Sequence, residues 1–156
     1  MPTPEERLQE LGVSLPSPAV PVAAYVPCVR SGNLVYVSGQ VPVVDGKPSH
    51  LGHLGDEVDL EDGRAAARTC AVNVLAALKA ELGELSRVRR VVKVTGFVAS
   101  TPGFTDHPKV VNAASELFGD AFGDAGRHAR AAVGVAALPL GVPVEVEAIV
   151  EVDQGG

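Results

Sequence analysis

Hydrophobic residues recur along the chain at two spacings, and these divide the sequence into helices and strands. From Asp59 to Gly83 apolar side chains return every three or four residues, which predicts a long helix capped by Asp59 and ended by Gly83. The same spacing predicts a second helix from residue 106 or 108 to 122, ended by Gly123. A short helix is predicted over 3–12, because a proline and two glutamates suit its first turn.

Runs rich in β-branched residues predict strands between these helices. They cover 25–30, 34–38, 41–44, 88–99, 131–136 and 144–152. The Ser-Gly-Asn sequence at 31–33 joins the first two strands as a hairpin, and 138–141 forms the turn between the last two. Three prolines make 15–22 an extended linker, and the glycine-rich stretch 49–57 is a loop.

The order of these elements predicts a mixed sheet with two helices packed on one face. Each helix carries a single apolar stripe, so both would cover the same side of the sheet. The strands carry apolar residues on both faces, so the other face would be exposed in a single chain. Association with further copies through that face is the expected solution.

The amino-acid composition and net charge limit the kinds of function that the protein could have. A chain of 156 residues fits one domain, and 46% hydrophobic with 21% charged residues is a globular balance. Aromatic residues make up 4% and tryptophan is absent, so there is little surface on which bases could stack. The net charge of −6 gives no general attraction for phosphate, and no nucleic-acid partner is expected.

The cysteines and the N-terminal sequence indicate the cellular compartment of the protein. Cys28 and Cys70 lie far apart in different predicted elements and form no metal-binding spacing, so both are interpreted as reduced core residues. The acidic start of the sequence is unlike a signal peptide, and no apolar run could span a bilayer. A cytoplasmic protein without membrane contact is predicted.

The strand that Arg130 opens is the first candidate for a binding site. Because side chains alternate along a strand, Arg130, Ala132 and Gly134 share one face, which leaves a hollow beside the guanidinium. A guanidinium pairs with a carboxylate through two parallel hydrogen bonds. The alternative is an ordinary surface arginine at a strand end.

Glu145 and Glu147 share one face of the last strand, where two acids are commonly exposed to solvent. If the last two strands paired as a hairpin, Glu145 would approach the strand of Arg130. An arginine and a glutamate beside a hollow could bind a zwitterion or position a water molecule.

Other polar residues are weaker candidates. His50 and His53 lie in one loop without a third ligand at a useful spacing, so no metal site is expected. His128 lies in a basic patch, where it could help to bind an anion or titrate near neutral pH. His107 has no evident role, and Ser38 lacks the sequence context of a serine nucleophile.

Four segments together carry a resemblance to a known family. They are LVYVSGQVPV at 34–43, VVKVTGFVASTPGF at 91–104, VVNAASELFG at 111–119 and RHARAAVGVAALPLGVPVEVEAIV at 127–150. These segments closely resemble the Rid/YjgF family of reactive intermediate deaminases, also called the endoribonuclease L-PSP family. The resemblance places a family domain at 25–152, after an N-terminal extension over 1–24, and suggests a longer subgroup.

The resemblance implies a fold, an assembly and an activity. The fold would be α+β and chorismate-mutase-like, and three chains would form a homotrimer with sites in the clefts between subunits. The activity would be hydrolysis of small 2-imino and 2-enamino acids to 2-oxo acids and ammonia. No metal or cofactor would be needed, because the reaction requires a carboxylate anchor and a well-placed water molecule.

The resemblance also assigns roles to residues. Arg130 matches the family's substrate-carboxylate arginine, and Glu145 matches the acid that positions the hydrolytic water. The other positions that match the lining of the cleft are Tyr25, Ser38, Gly39, Asn112 and Ala132. Ala132 stands where many active members have cysteine, and Gly134 stands where a larger polar residue is common.

Two further functions compete with imine or enamine hydrolysis. The chain could bind small carboxylates such as 2-oxo acids in the same cleft without catalysis. Endoribonuclease activity, which the older family name suggests, fits the acidic and aromatic-poor sequence less well.

Overall fold

The structure is a computed structural model that describes residues 1–18, 21 and 23–154. Three α-helices have the bounds Pro4–Glu10 (α1), Leu60–Leu82 (α2) and His107–Phe122 (α3). Strands β1 to β7 span Cys28–Ser31, Leu34–Gln40, Val43–Val44, Lys47–Pro48, Val88–Ala99, Ala129–Val135 and Val144–Val152. All three helices and the strand regions predicted from the sequence are present, which confirms a mixed α+β fold.

Local chemistry explains where α2 begins and ends. The Asp59 side chain accepts a hydrogen bond of 2.8 Å from the backbone N–H of Asp62, which caps the first turn. The helix ends at Gly83, whose φ of 86° is accessible to glycine at little cost. Several strand boundaries differ from the prediction by one to three residues; among them, β1 begins at Cys28, so Tyr25 precedes it, and β6 begins at Ala129.

The order of strands in the sheet corrects one prediction. The five-stranded sheet has the order β1-β2-β7-β5-β6, and β3 and β4 form a separate two-stranded hairpin. The last two strands, β6 and β7, were expected to pair with each other, but β5 lies between them. β6 runs parallel to β5, and β7 runs antiparallel to both β5 and β2. Parallel neighbours cannot be joined by a tight turn, and α3 makes the connection between β5 and β6. The segment after β6 then passes β5 to reach β7.

α2 and α3 pack on one face of this sheet, as the sequence predicts. The buried residues of β7, which include Val144, Val146 and Ala148, belong to the same apolar core as the buried faces of both helices. α3 approaches β5 closely at Gly96, where a Cβ atom would overlap the Val111 side chain. The face of β5 that carries Gly96 is therefore the helix-covered face.

The opposite face of the sheet is uncovered and partly apolar. Val29, Tyr36 and Val133 expose 54%, 44% and 42% of their surface. Tyr36 lies between Val29 and Ile149 in the strand ladder, so these side chains form a continuous row. The exposed face follows the sequence prediction, and association of chains through it stays a prediction.

The N-terminal helix α1 packs on the rest of the domain. Leu8 is 1% exposed, and the Glu5 carboxylate lies 2.9 Å from Lys79 Nζ and accepts a 3.0 Å hydrogen bond from the Leu85 N–H. Residues 19, 20 and 22 of the predicted linker lie outside the described residues. The boundary at residue 24 stays a prediction.

Two further predictions from the sequence concern the cysteines and membrane-spanning segments. Both cysteines are free thiols, and burial together with the charge of Glu81 raises the pKa of Cys28 to about 11. Among the helices of the described residues, none is long and apolar enough to cross a bilayer.

Candidate functional site

Arg130 lies on β6, and its guanidinium is held by α3. Nη1 donates hydrogen bonds to Asn112 Oδ1 at 2.8 Å and to Ser115 Oγ at 3.2 Å, and Nη2 donates a longer one of 3.4 Å to the Pro108 carbonyl. These acceptors belong to the first turns of α3, which runs alongside β6. The guanidinium therefore has a fixed orientation.

The hydrogen bonds of Arg130 leave one edge of its fork available. A guanidinium has five N–H donors, and the contacts with α3 involve both Nη1 hydrogens and one Nη2 hydrogen. No described residue accepts a hydrogen bond from Nε or from the other Nη2 hydrogen. Adjacent Nε–H and Nη2–H groups match the spacing of two carboxylate oxygens, so Arg130 can bind a carboxylate in bidentate fashion.

Ser115 and His128 extend this arrangement; Ser115 was not singled out from the sequence, and His128 was only a weaker candidate for anion binding. Ser115 Oγ lies 2.8 Å from His128 Nε2, and His128 Nδ1 lies 2.6 Å from the Gly126 carbonyl oxygen. Burial, and secondarily the positive charge of Arg130, lower the pKa of His128 below its ordinary value. Helical spacing could have identified Ser115, because it follows Asn112 by three residues and therefore shares its face.

A groove of about 320 Å³ lies beside these residues. Its lining consists of Ser115, Gly119, Gly126, Arg127, His128 and Arg130. Two arginines on one rim make the groove a cationic surface, which suits an anionic group. Arg130, Asn112, Ser115 and His128 are referred to below as the arginine half-site.

The hollow expected along β6 is smaller than the sequence suggested. Ala132 is half-buried against the core, as a small residue can be. The space beside Gly134, however, is occupied: a Cβ atom there would lie 2.5 Å from His107 Nε2 and 2.9 Å from Ser100 Oγ. His107 Nε2 and Ser100 Oγ are themselves 3.1 Å apart. His107, to which the sequence gave no evident role, thus fills the far end of the hollow.

Glu145 lies on the other face of the sheet, away from Arg130 of the same chain. Glu145 pairs with Phe97, whereas Arg130 pairs with Val94, and these two β5 residues alternate in direction. The side of Val94 is the helix-covered side, since it shares a face with Gly96. The hypothesis that a β6–β7 hairpin brings Arg130 and Glu145 together is therefore wrong within one chain.

Glu145 has neighbours from β2 that were also predicted as site residues. A Cβ atom at Gly39 would overlap the Glu145 carboxylate, so the glutamate side chain lies directly against this glycine. The register of the β2–β7 ladder shifts between Val37 and Gln40, which places Ser38 and Gly39 in an irregular stretch. Ser38, Gly39 and Glu145 are referred to below as the glutamate half-site.

Tyr25 is tied to the glutamate half-site through the segment before β1. The Ser38 hydroxyl donates a 2.7 Å hydrogen bond to the Val26 carbonyl, and the Ser38 N–H donates one of 2.8 Å to the Pro27 carbonyl. Tyr25 itself is 56% exposed. Its side chain is available to contact a ligand or a second chain.

The surroundings of Glu145 shift the pKa of its carboxyl group upward. Burial raises the pKa of Glu145 above its ordinary value, and the negative charge of Glu147 raises it further. A carboxylate with a raised pKa is a stronger base than an exposed one, which suits proton transfer with water.

The described residues contain no cluster of three or more His, Cys, Asp or Glu side chains that could hold a metal ion. His50 lies 3.9 Å from Asp62, and His53 lies 2.7 Å from the Ala136 carbonyl oxygen. Each of these loop histidines thus contacts a different part of the fold.

Comparison with known proteins identifies relatives across almost the whole chain. Residues 5–152 match the family described as "YjgF/chorismate mutase-like, putative endoribonuclease". Protein TCP17 of Trypanosoma cruzi is 49% identical over 94% of this chain and 92% of its own length. A 2-iminobutanoate/2-iminopropanoate deaminase of Dermatophagoides farinae is 32% identical over 90% of this chain and 95% of its own.

A solved structure shares the fold. The crystal structure of Atu1372 from Agrobacterium tumefaciens, described as a protein of unknown function, is 52% identical and superposes with a TM-score of 0.91. The match covers 96% of this chain and 92% of that one.

Proposed function

The chain belongs to the YjgF/Rid family, and from this premise we propose that it hydrolyses small 2-imino and 2-enamino acids to 2-oxo acids and ammonia. Some relatives carry the name 2-iminobutanoate/2-iminopropanoate deaminase. The observation that carries the proposal is the Arg130 guanidinium, fixed by three acceptors of α3 with one bidentate edge left available.

In the proposed reaction Arg130 binds the carboxylate of the imino acid and Glu145 activates a water molecule. The Glu145 carboxylate takes a proton from water as the water oxygen adds to the carbon of the protonated imine, which forms a neutral carbinolamine. Glu145 then delivers that proton to the amino nitrogen and accepts the hydroxyl proton as the C=O bond forms and the carbon–nitrogen bond breaks. The departing ammonia carries this last proton away as ammonium, which leaves the 2-oxo acid and an ionised Glu145. The rate gain comes from orientation of water and imine, so no cofactor enters the scheme.

The two half-sites face opposite sides of the sheet, so the proposed site needs two chains. The arginine half-site of one chain would meet the glutamate half-site of another, with Tyr25 and Ser38 beside the Glu145 carboxylate. The uncovered apolar face that carries Glu145 supports such an arrangement, because its exposed row would be buried by a neighbouring chain. A homotrimer is the assembly proposed.

The proposal is tested with 2-iminobutanoate generated in the assay by a threonine dehydratase. The wild-type protein should accelerate loss of the imine over buffer, and Arg130→Ala should abolish that acceleration. Arg130→Lys, which keeps the charge without the fork, should lower kcat/KM by at least about tenfold, since hydrogen bonds between charged groups are lost. Arg64→Ala is the matched control, because it removes an arginine that also bonds to α3, through the Lys109 carbonyl and Glu116, but that does not line the groove.

Glu145→Gln separates catalysis from binding. It should reduce kcat by about a hundredfold, as expected for loss of a general base, while the Kd for 2-oxobutanoate changes little. Equal losses in kcat and in the affinity for 2-oxobutanoate would contradict a role of Glu145 in water activation. Tight binding of 2-oxobutanoate by a wild-type protein that never accelerates hydrolysis would favour the binding alternative.

Endoribonuclease activity is the remaining candidate from the family's names. RNA cleavage that persists through purification and disappears in Arg130→Ala would favour it over deamination.

A further inference from the structure

The Ser115 hydroxyl lies between two groups of the arginine half-site. Its oxygen is 3.2 Å from Arg130 Nη1 and 2.8 Å from His128 Nε2. The other ring nitrogen of His128 lies 2.6 Å from the Gly126 carbonyl oxygen. Arg130, Ser115, His128 and Gly126 thus form one continuous chain of hydrogen bonds from the guanidinium to the backbone.

The chemistry of these groups determines where the hydrogens lie. A carbonyl oxygen only accepts, so His128 Nδ1 carries a hydrogen and donates it to Gly126. Arginine only donates, so Ser115 Oγ accepts from Arg130. The Ser115 hydrogen is then free to point at the lone pair of His128 Nε2, and every donor in the chain has one acceptor. This pattern requires a neutral imidazole.

Protonation of His128 would break the pattern. Nε2 would then carry a hydrogen and donate it to the second lone pair of the Ser115 oxygen, and the serine hydrogen would lose Nε2 as its acceptor. Two positive charges would also face each other across one hydroxyl group.

The surroundings of His128 are consistent with the neutral form. α3 presents Ser115 and the ring of Phe118, whose centroid is 6.0 Å from that of His128 in an edge-to-face arrangement. β6 presents Arg130, Gly126 follows α3, and Arg127 lines the same groove. No ion pair joins His128 to a carboxylate among the described residues. Burial and the Arg130 charge lower the pKa of His128.

We propose that His128, acting through Ser115, is a positioning residue that orients Arg130 for carboxylate binding, and that only the neutral imidazole does so. The inference rests on the proposed function of Arg130 as the carboxylate anchor. The inference predicts that carboxylate binding depends on pH. Binding should weaken as His128 becomes protonated, which happens at a pH below 6.5, the ordinary pKa of histidine.

Two substitutions at one position test the role of the ring nitrogens. His128→Gln places an amide near the position of Nε2, so it can still accept from Ser115 and cannot titrate. His128→Asn is shorter and reaches the position of Nδ1, so it keeps the contact with Gly126 and loses the contact with Ser115. Both remove the imidazole, and they keep opposite ends of the hydrogen-bond chain: glutamine keeps the contact with Ser115, and asparagine keeps the contact with Gly126.

The readout is the Kd for 2-oxobutanoate, measured by calorimetry from pH 5.5 to 8, where the ligand carboxylate stays ionised. At pH 8, His128→Asn and Ser115→Ala should each weaken binding about fivefold to tenfold, the effect of losing one hydrogen bond. His128→Gln should recover most of this loss. The wild-type protein should bind more weakly at pH 5.5 than at pH 8, and His128→Gln should lack that change. His50→Gln, in a loop outside the site, should retain it.

A double substitution tests whether Ser115 and His128 act as one unit. The combination of Ser115→Ala with His128→Asn should weaken binding no more than Ser115→Ala alone. Losses that multiply, or wild-type binding by His128→Asn, would overturn the inference while leaving the role of Arg130 intact. No binding of 2-oxobutanoate by the wild-type protein would reject the proposed carboxylate anchor, and this inference with it.

A measurement on the wild-type protein does not depend on whether the variants fold. The nitrogen-15 shifts of the His128 ring at pH 8 should show a protonated Nδ1 and an unprotonated Nε2. The opposite tautomer would contradict the proposed hydrogen-bond chain.

Discussion

At Gly134 the absence of a side chain leaves room for another residue to pack against β6. The space that a Cβ would occupy is taken by the imidazole of His107, which also contacts the Ser100 hydroxyl and the ring of Phe104. Glycine at position 134 therefore lets the His107 ring pack against β6, although a glycine in general weakens a strand. The sequence suggests an empty space beside Gly134, whereas in the structure His107, the first residue of α3, fills that space.

We predict that Gly134→Ala displaces the His107 ring and breaks its contact with Ser100. The expected loss of stability is about 1 kcal/mol, the size of one hydrogen bond, because a side chain rather than the backbone must move. Chemical denaturation measures it, with Gly103→Ala as the control, since no atom lies within 4 Å of a Cβ there. In a His107→Ala background the loss should become smaller, since only the contact with the Ser100 hydroxyl remains, and an undiminished loss would contradict the explanation.

The two long helices show that similar sequences begin helices differently. Asp59 precedes α2 in an extended conformation and its side chain accepts a hydrogen bond from the backbone. Asp106 precedes α3 with φ −92° and ψ 29°, and it makes no capping hydrogen bond. Instead it lies 3.5 Å from Lys109 in an exposed ion pair, which contributes little to stability.

We predict that Asp59→Ala lowers the free energy of unfolding by about 1 kcal/mol, the usual loss for an N-cap. Asp106→Ala is the matched control and should change it by less than about 0.5 kcal/mol, because only an exposed ion pair is removed. Equal effects of the two substitutions in urea denaturation would show that side-chain capping is not what distinguishes these positions.

At the scale of the whole molecule, the separation of the half-sites becomes a prediction about assembly. Arg130 and Glu145 lie on opposite faces of the sheet, so the proposed site needs two chains. Co-expression of Arg130→Ala with Glu145→Gln should then restore activity that neither variant has alone. In randomly mixed oligomers about a quarter of the sites receive both intact residues, since each half-site comes from an independent chain.

Sedimentation of the wild-type protein should give three times the chain mass of 16.0 kDa. Substitution of Val133 by lysine on the uncovered face should lower that mass, because a charge is costly to bury between chains. Mixed variants that stay inactive in an intact oligomer would contradict a site shared between chains.

Local patterns in the sequence determined the elements of this protein. Helix and strand periodicities, the Asp59 cap and the glycines after α2 and α3 depend on neighbours within a few residues, so they are visible in the chain itself. Arg130, Ala132 and Gly134 likewise share one face of β6 because side chains alternate along any strand, whatever its neighbours are. The family resemblance identified Arg130 and Glu145 as the residues of interest.

Only the tertiary structure decided how these elements meet. Two strands that follow each other in the chain can pair directly or enclose a third, and periodicity is the same in both cases. The insertion of β5 between β6 and β7 placed Glu145 and Arg130 on opposite faces. The packing of α3 along β6 brought Ser115 and His128 to the guanidinium and His107 to Gly134. Helical spacing places Ser115 beside Asn112, but the contacts of both with the guanidinium depend on how α3 packs against β6, which no local periodicity specifies.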